Sequence, residues 1–128
     1  MKTTTLIKLS AAIEAATGLA AIASPDLVVR LLLGASLTGG GVAIGRVAGV
    51  ALLALAIACW PGVKSDSPQV IRALFVYNLL VGLYLGFLGL DHVFFTYLLW
   101  PASALHILIA ILLARPALQS TDANPPRT

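Results

Sequence analysis

The sequence predicts an all-α fold, an integral membrane four-helix bundle with a short interfacial helix between spans 1 and 2. Three observations carry that prediction. Hydrophobic residues make up 59% of the chain and charged residues only 10%, and mean hydropathy is +0.99, a balance that suits hydrocarbon better than water. Four apolar runs, residues 6–23, 41–60, 71–90 and 94–113, each approach the roughly 20 residues needed to cross a bilayer. In a chain of 128 residues little is left outside those runs, and helices are the economical way to satisfy backbone polar groups in lipid. Residues 1–118 are therefore one four-span domain, and the polar stretch 119–128, with Pro125 and Pro126, is expected to be a disordered cytoplasmic tail.

The first span begins with Lys2 and Lys8 and carries a single acid, Glu14, at its middle. Ala21-Ile22-Ala23 has the small-x-small form of a signal-peptide cleavage site, but Glu14 interrupts the apolar stretch such a peptide needs. Ser24-Pro25 suits a helix start instead, with Ser24 as N-cap and Pro25 at the first helical position. Asp26 and Arg30 then form an i,i+4 pair, and Gly34 is placed to end a helix too short to cross. Residues 27–33 are expected to lie in the outer interface or cap the bundle, as an anchor rather than a gating lid.

Gly39-Gly40-Gly41 turns the chain into the second span, where Gly41, Gly45 and Gly49 repeat every four residues as a packing stripe. Trp60 marks the interface and Pro61-Gly62 the stop. The third span repeats the device with Gly82, Gly86 and Gly89, and Asn78 falls on the same face. In the fourth, Ala102, His106 and Ala110 are in register, while Pro101 either kinks the helix at the carbonyl of Tyr97 or begins its regular part. Glu14 followed by Gly18-Leu19, and Asn78 followed by Gly82-Leu83, suggest that the first two spans and the last two are parallel repeats.

Charge sets orientation. Lys2, Lys8, Lys64, Arg72, Arg115 and Arg127 fall on one side, six of the eight basic residues, so both termini are expected in the cytoplasm of a bacterial inner membrane. A basic stripe of the kind nucleic acids require is absent. Cys59 is the single cysteine, which excludes an internal disulfide.

Each span thus carries one polar residue: Glu14, Arg46, Asn78 and His106. The helical rise puts Glu14, Asn78 and His106 roughly 14–18 Å deep, with Arg46 somewhat shallower. An isolated ionisable group there costs on the order of 2.5–3.5 kcal/mol, so one shared internal cluster is the economical arrangement. Pairing Glu14 with Arg46 is its expected centre, with Ser10, Thr17 and Gly18 around the acid. Such a cluster either fixes helix register or binds the polar head of a hydrophobic ligand. A lone His106 is more often a core hydrogen-bonding residue than a haem or proton ligand, and Ser103 at i−3 from it is a weak nucleophile candidate. Tyr77, Tyr84 and Tyr97 are expected to serve packing and the aromatic belt. No metal-ligand spacing is present, and the sequence names no cofactor.

The run Pro25-Asp26-Leu27-Val28-Val29-Arg30-Leu31-Leu32-Leu33-Gly34, the run Gly45-Arg46-Val47-Ala48-Gly49-Val50-Ala51-Leu52-Leu53-Ala54-Leu55-Ala56, and Leu99-Trp100-Pro101-Ala102 with Leu105-His106 resemble small bacterial inner-membrane proteins of the DoxX-like group. That resemblance implies four helices in a bacterial membrane and an association with quinone or respiratory redox systems. It transfers no catalytic residue, and Arg46 is the one charged position that matches. A glutamate at the middle of the first of four short spans is also similar to the small multidrug-resistance transporters, whose tryptophan-containing third-span pattern this chain lacks. The expected function is an accessory or ligand-binding membrane subunit, not demonstrably an enzyme, for a quinone-like or lipid-like molecule held at Glu14, Arg46, Asn78 and His106. The alternatives are a small proton-coupled transporter and a structural subunit whose glycine stripe meets a second copy or a membrane partner.

Overall fold

The computed structural model describes residues 2–60, 67–91 and 96–119. Expectations for Pro61, Gly62, Lys64, Phe94, Arg127 and the tail from residue 120 lie outside the described residues. Within them the chain forms α1 (Thr3–Ala23), α2 (Pro25–Leu33), α3 (Gly40–Cys59), α4 (Pro68–Leu90) and α5 (Leu99–Gln119), and no strand. All but α2 are long and apolar enough to cross a membrane, so the chain is an all-α, multi-pass membrane bundle. Large side chains such as Ile44, Val47 and Ile57 stand exposed on its outside, where hydrocarbon is a better solvent for them than water.

The bundle is two helix pairs. α1 packs along α3, and α4 along α5, far more extensively than either pair packs on the other. The α1–α3 seam depends on the absence of two side chains. A Cβ at Gly18 would lie 2.8 Å from the Gly49 carbonyl oxygen, and one at Gly49 would lie 2.8 Å from both the Gly18 oxygen and the Ile22 nitrogen. Backbones that close have no flexible atom that can yield. In the α4–α5 pair Gly82 has the same office against Ile107, Gly89 receives the Trp100 ring, and Gly86 faces Ser103. Gly18 and Gly82, the two glycines of the suspected repeat, thus perform equivalent tasks.

The two pairs close on each other at the end where the chain begins. Leu6, Ile7, Cys59, Ile71, Leu74, Ile109, Leu113 and Ala117 form one buried apolar cluster there. At the opposite end the pairs part, and α2 covers the gap. Ser24 makes no side-chain cap bond, contrary to expectation, while Pro25 does open the helix and is itself buried. Gly34 ends α2 in the left-handed region at φ 71°, a conformation glycine adopts without a Cβ clash.

One ion pair stiffens α2 from within and two hydrogen bonds tie it to the rest of the chain. Asp26 pairs with Arg30 at 2.8 Å and accepts the Leu37 N–H at 2.7 Å, and the Thr96 hydroxyl donates to the Leu32 carbonyl at 2.6 Å. The second-span stripe also serves α2. A Cβ at Gly45 would sit 2.6 Å from Pro25 Cβ, and one at Gly41 would sit 3.2 Å from Leu37. Gly45 and Gly49 are therefore occupied within the chain, by α2 and α1.

Span boundaries also move. α4 begins at Pro68 and α1 at Thr3, each three residues before the apolar run. α5 begins at Leu99, so Pro101 sits in its first turn, where the missing N–H has no intrahelical partner to lose. α5 then runs on through Pro116 to Gln119, six residues past the apolar run.

Candidate functional site

Three of the four predicted polar residues meet at the seam between the two pairs. Glu14 is 1% exposed and Asn78 fully buried, and His106 is half-buried beside them. The Asn78 side-chain amide donates to Ser10 Oγ at 3.1 Å and to the Leu74 carbonyl at 2.8 Å, and its oxygen lies 2.9 Å from His106 Nδ1. The Tyr77 hydroxyl donates to Glu14 Oε2 at 2.7 Å, and the Tyr77 ring meets the His106 ring edge-on at 6.0 Å. The bonds Tyr77–Glu14 and Asn78–Ser10 join α4 to α1, so this cluster is also the polar tie between the helix pairs.

Arg46 is not part of it. The guanidinium side chain is exposed, and among the described residues it makes no ion pair or hydrogen bond. The predicted Glu14–Arg46 pair is therefore replaced by Glu14–Tyr77. The physical reason is rotation about the helix axis. Gly45 and Gly49 face α2 and α1, and a residue one step along is turned by about 100°, which points Arg46 away from the seam. Tyr77, expected to serve packing, supplies the donor that the buried acid needs. Its place next to Asn78, at the depth of Glu14, was the signal for it. Tyr84 and Tyr97 are exposed at 62% and 98%, as belt residues are.

Ser103 is buried, and its hydroxyl donates to the Gly82 carbonyl at 2.8 Å. With His106 Nδ1 engaged by Asn78, the structure shows no serine–histidine couple here. No group of three His, Cys, Asp or Glu side chains comes together among the described residues.

Above the polar cluster, in the gap between the pairs, is a cavity of about 680 Å³. All five helices line it. α2 roofs it with Val28, Val29 and Leu32, while Glu14, Tyr77 and His106 lie in its wall. That volume falls within the roughly 300–1,000 Å³ of small-molecule sites, as does an apolar lining with a few convergent polar groups. One atom is left over. Glu14 Oε1 is buried and has no hydrogen-bond partner.

Compared with protein-family models, with curated proteins and with solved structures, the chain matches none.

Proposed function

We propose that the protein is a bacterial inner-membrane subunit that holds one hydrophobic molecule with a polar head, of the quinone or lipid kind, between its two helix pairs. The apolar body lies in the cavity under α2, and the head reaches Glu14, Tyr77 and His106. The observation that carries this reading is the cavity with Glu14 in its wall, a buried acid whose Oε1 has no partner. A cluster serving only as a clasp would satisfy both carboxyl oxygens, since each buried polar atom left alone costs about 1–3 kcal/mol. Tyr77, Asn78 and Ser10 already tie the pairs together without Oε1. Basic residues at the closed end, Lys2, Lys8, Arg72 and Arg115, support a cytoplasmic position for that end and for both termini.

Native mass spectrometry of the protein released gently from its own membrane tests this. A stoichiometric small molecule is expected with the unmodified chain and should be lost when Ala102, half-buried in the cavity wall, is changed to Phe. A correctly folded protein that carries no such molecule in either form would defeat the reading.

A second reading, proton-coupled exchange of a small molecule, gains from the exposure of Arg46, because no basic side chain among the described residues neutralises Glu14. It requires that substrate flux in sealed vesicles drive proton movement and that Glu14→Gln abolish both. Substrate binding with no flux leaves only the first reading.

A further inference from the structure

The hydrogen bonds of the cluster determine which atoms remain for a ligand head. The Leu74 carbonyl can only accept, so the Asn78 atom 2.8 Å from it is the amide nitrogen. The same nitrogen meets Ser10 Oγ, which leaves the amide oxygen facing His106 Nδ1 at 2.9 Å. An amide oxygen cannot donate, so Nδ1 carries the proton. In the neutral ring Nε2 is then an acceptor, on a side chain that lines the cavity. The second remaining atom is Glu14 Oε1. While Glu14 is ionised, Tyr77 donates to Oε2 and Oε1 presents lone pairs; a protonated Glu14 would make Oε1 a donor instead. His106 Nε2 therefore asks for a donor, and so does Glu14 Oε1 in the ionised carboxyl.

From this we infer that the cavity selects a ligand whose head donates hydrogen bonds, a hydroxyl or an ammonium, over a carbonyl, ether or carboxylate head on the same skeleton. The inference rests on the cavity being a ligand site. An acceptor head would leave Nε2, and Oε1 of an ionised Glu14, facing lone pairs, and a carboxylate head would add a like charge beside that ionised acid. For a quinone-like skeleton this means that the dihydroxy form is held and the dicarbonyl form is not.

The test compares an alkylphenol with its own methyl ether, and with an alkylammonium of the same chain length, on the full chain in lipid nanodiscs. The phenol and its ether differ by little except the donor. The phenol should bind at least about tenfold more tightly, the effect of one orphaned acceptor. In Glu14→Gln the Tyr77 hydroxyl keeps the amide oxygen and the amide nitrogen takes the open position, so the preference should shrink or reverse. A tighter ammonium than phenol would locate the preference in charge pairing at Glu14. A tighter phenol would locate it in shared donation to Glu14 and His106. Equal affinity of phenol and ether, or a preference for the ether, overturns the inference while leaving the cavity a ligand site. If none of the three binds, the proposed function falls with it. The phenol–ether comparison uses the unmodified chain, so it decides the matter whether or not the variant folds.

Discussion

Removing the Tyr77 hydroxyl separates the observed partner of Glu14 from the one composition suggested. Tyr77→Phe deletes one donor, 2.7 Å from a carboxyl oxygen, and leaves the ring and its edge contact with His106 in place. Both oxygens of a buried carboxyl then lack a partner. A hydrogen bond to a charged group contributes about 1.5–3 kcal/mol in water-soluble proteins. Measured interhelical bonds in membranes are weaker, about 0.6 kcal/mol on average and about 1.7 at most, because the unfolded chain in lipid also finds partners. A coupling of about 1–2 kcal/mol between Tyr77 and Glu14 is the expected result. The assay is a double-mutant cycle of Tyr77→Phe and Glu14→Leu, read by reversible denaturant titration in mixed micelles. The same cycle with Arg46→Gln in place of Tyr77→Phe should be additive within about 0.5 kcal/mol, as for sites without a shared contact. Coupling of Glu14 to Arg46 as large as its coupling to Tyr77, or none to Tyr77, would refute the geometry of the cluster.

Further outcomes follow from single contacts. Gly49→Ala places a Cβ 2.8 Å from two backbone atoms of α1 and should destabilise the bundle by about 1–3 kcal/mol, whereas Gly40→Ala meets nothing within 4 Å and should stay within about 0.5 kcal/mol. Thermal melts of the pair in detergent check this, and equal effects would contradict the close α1–α3 approach. Asn78→Leu orphans Ser10 Oγ and His106 Nδ1 at about 1–3 kcal/mol each, and nitrogen NMR of the imidazole should show loss of the fixed Nδ1–H tautomer. An unchanged tautomer would mean that Asn78 does not set it. Thr96→Val removes the donor to the Leu32 carbonyl, so amide exchange in α2 should speed roughly fivefold, for about 1 kcal/mol, while that of the core around Leu74 is unchanged. Identical exchange in α2 would show that this bond does not hold it over the cavity.

Composition and hydropathy by themselves determined the number of spans, their lengths to within a few residues, and the all-α class, because a bilayer admits few ways to bury a backbone. Punctuation residues determined α2: Pro25 opens it, Gly34 closes it, and nine residues are too few to cross. Depth, too, was legible, since a fixed rise per residue puts Glu14, Asn78 and His106 on one level, and the structure joins Asn78 to His106 and sets Glu14 beside them. Rotation was not. α3 has almost no apolar periodicity, and its glycine stripe marks a close face without saying which helix fills it. Only tertiary packing, with Gly45 seated on Pro25 and Gly49 on Gly18, turned Arg46 outward and left Glu14 to Tyr77. The gap under α2 belongs to the tertiary level as well. It exists because two helix pairs pack closely within themselves and meet each other at one end, a relation between surfaces that no run of residues encodes locally.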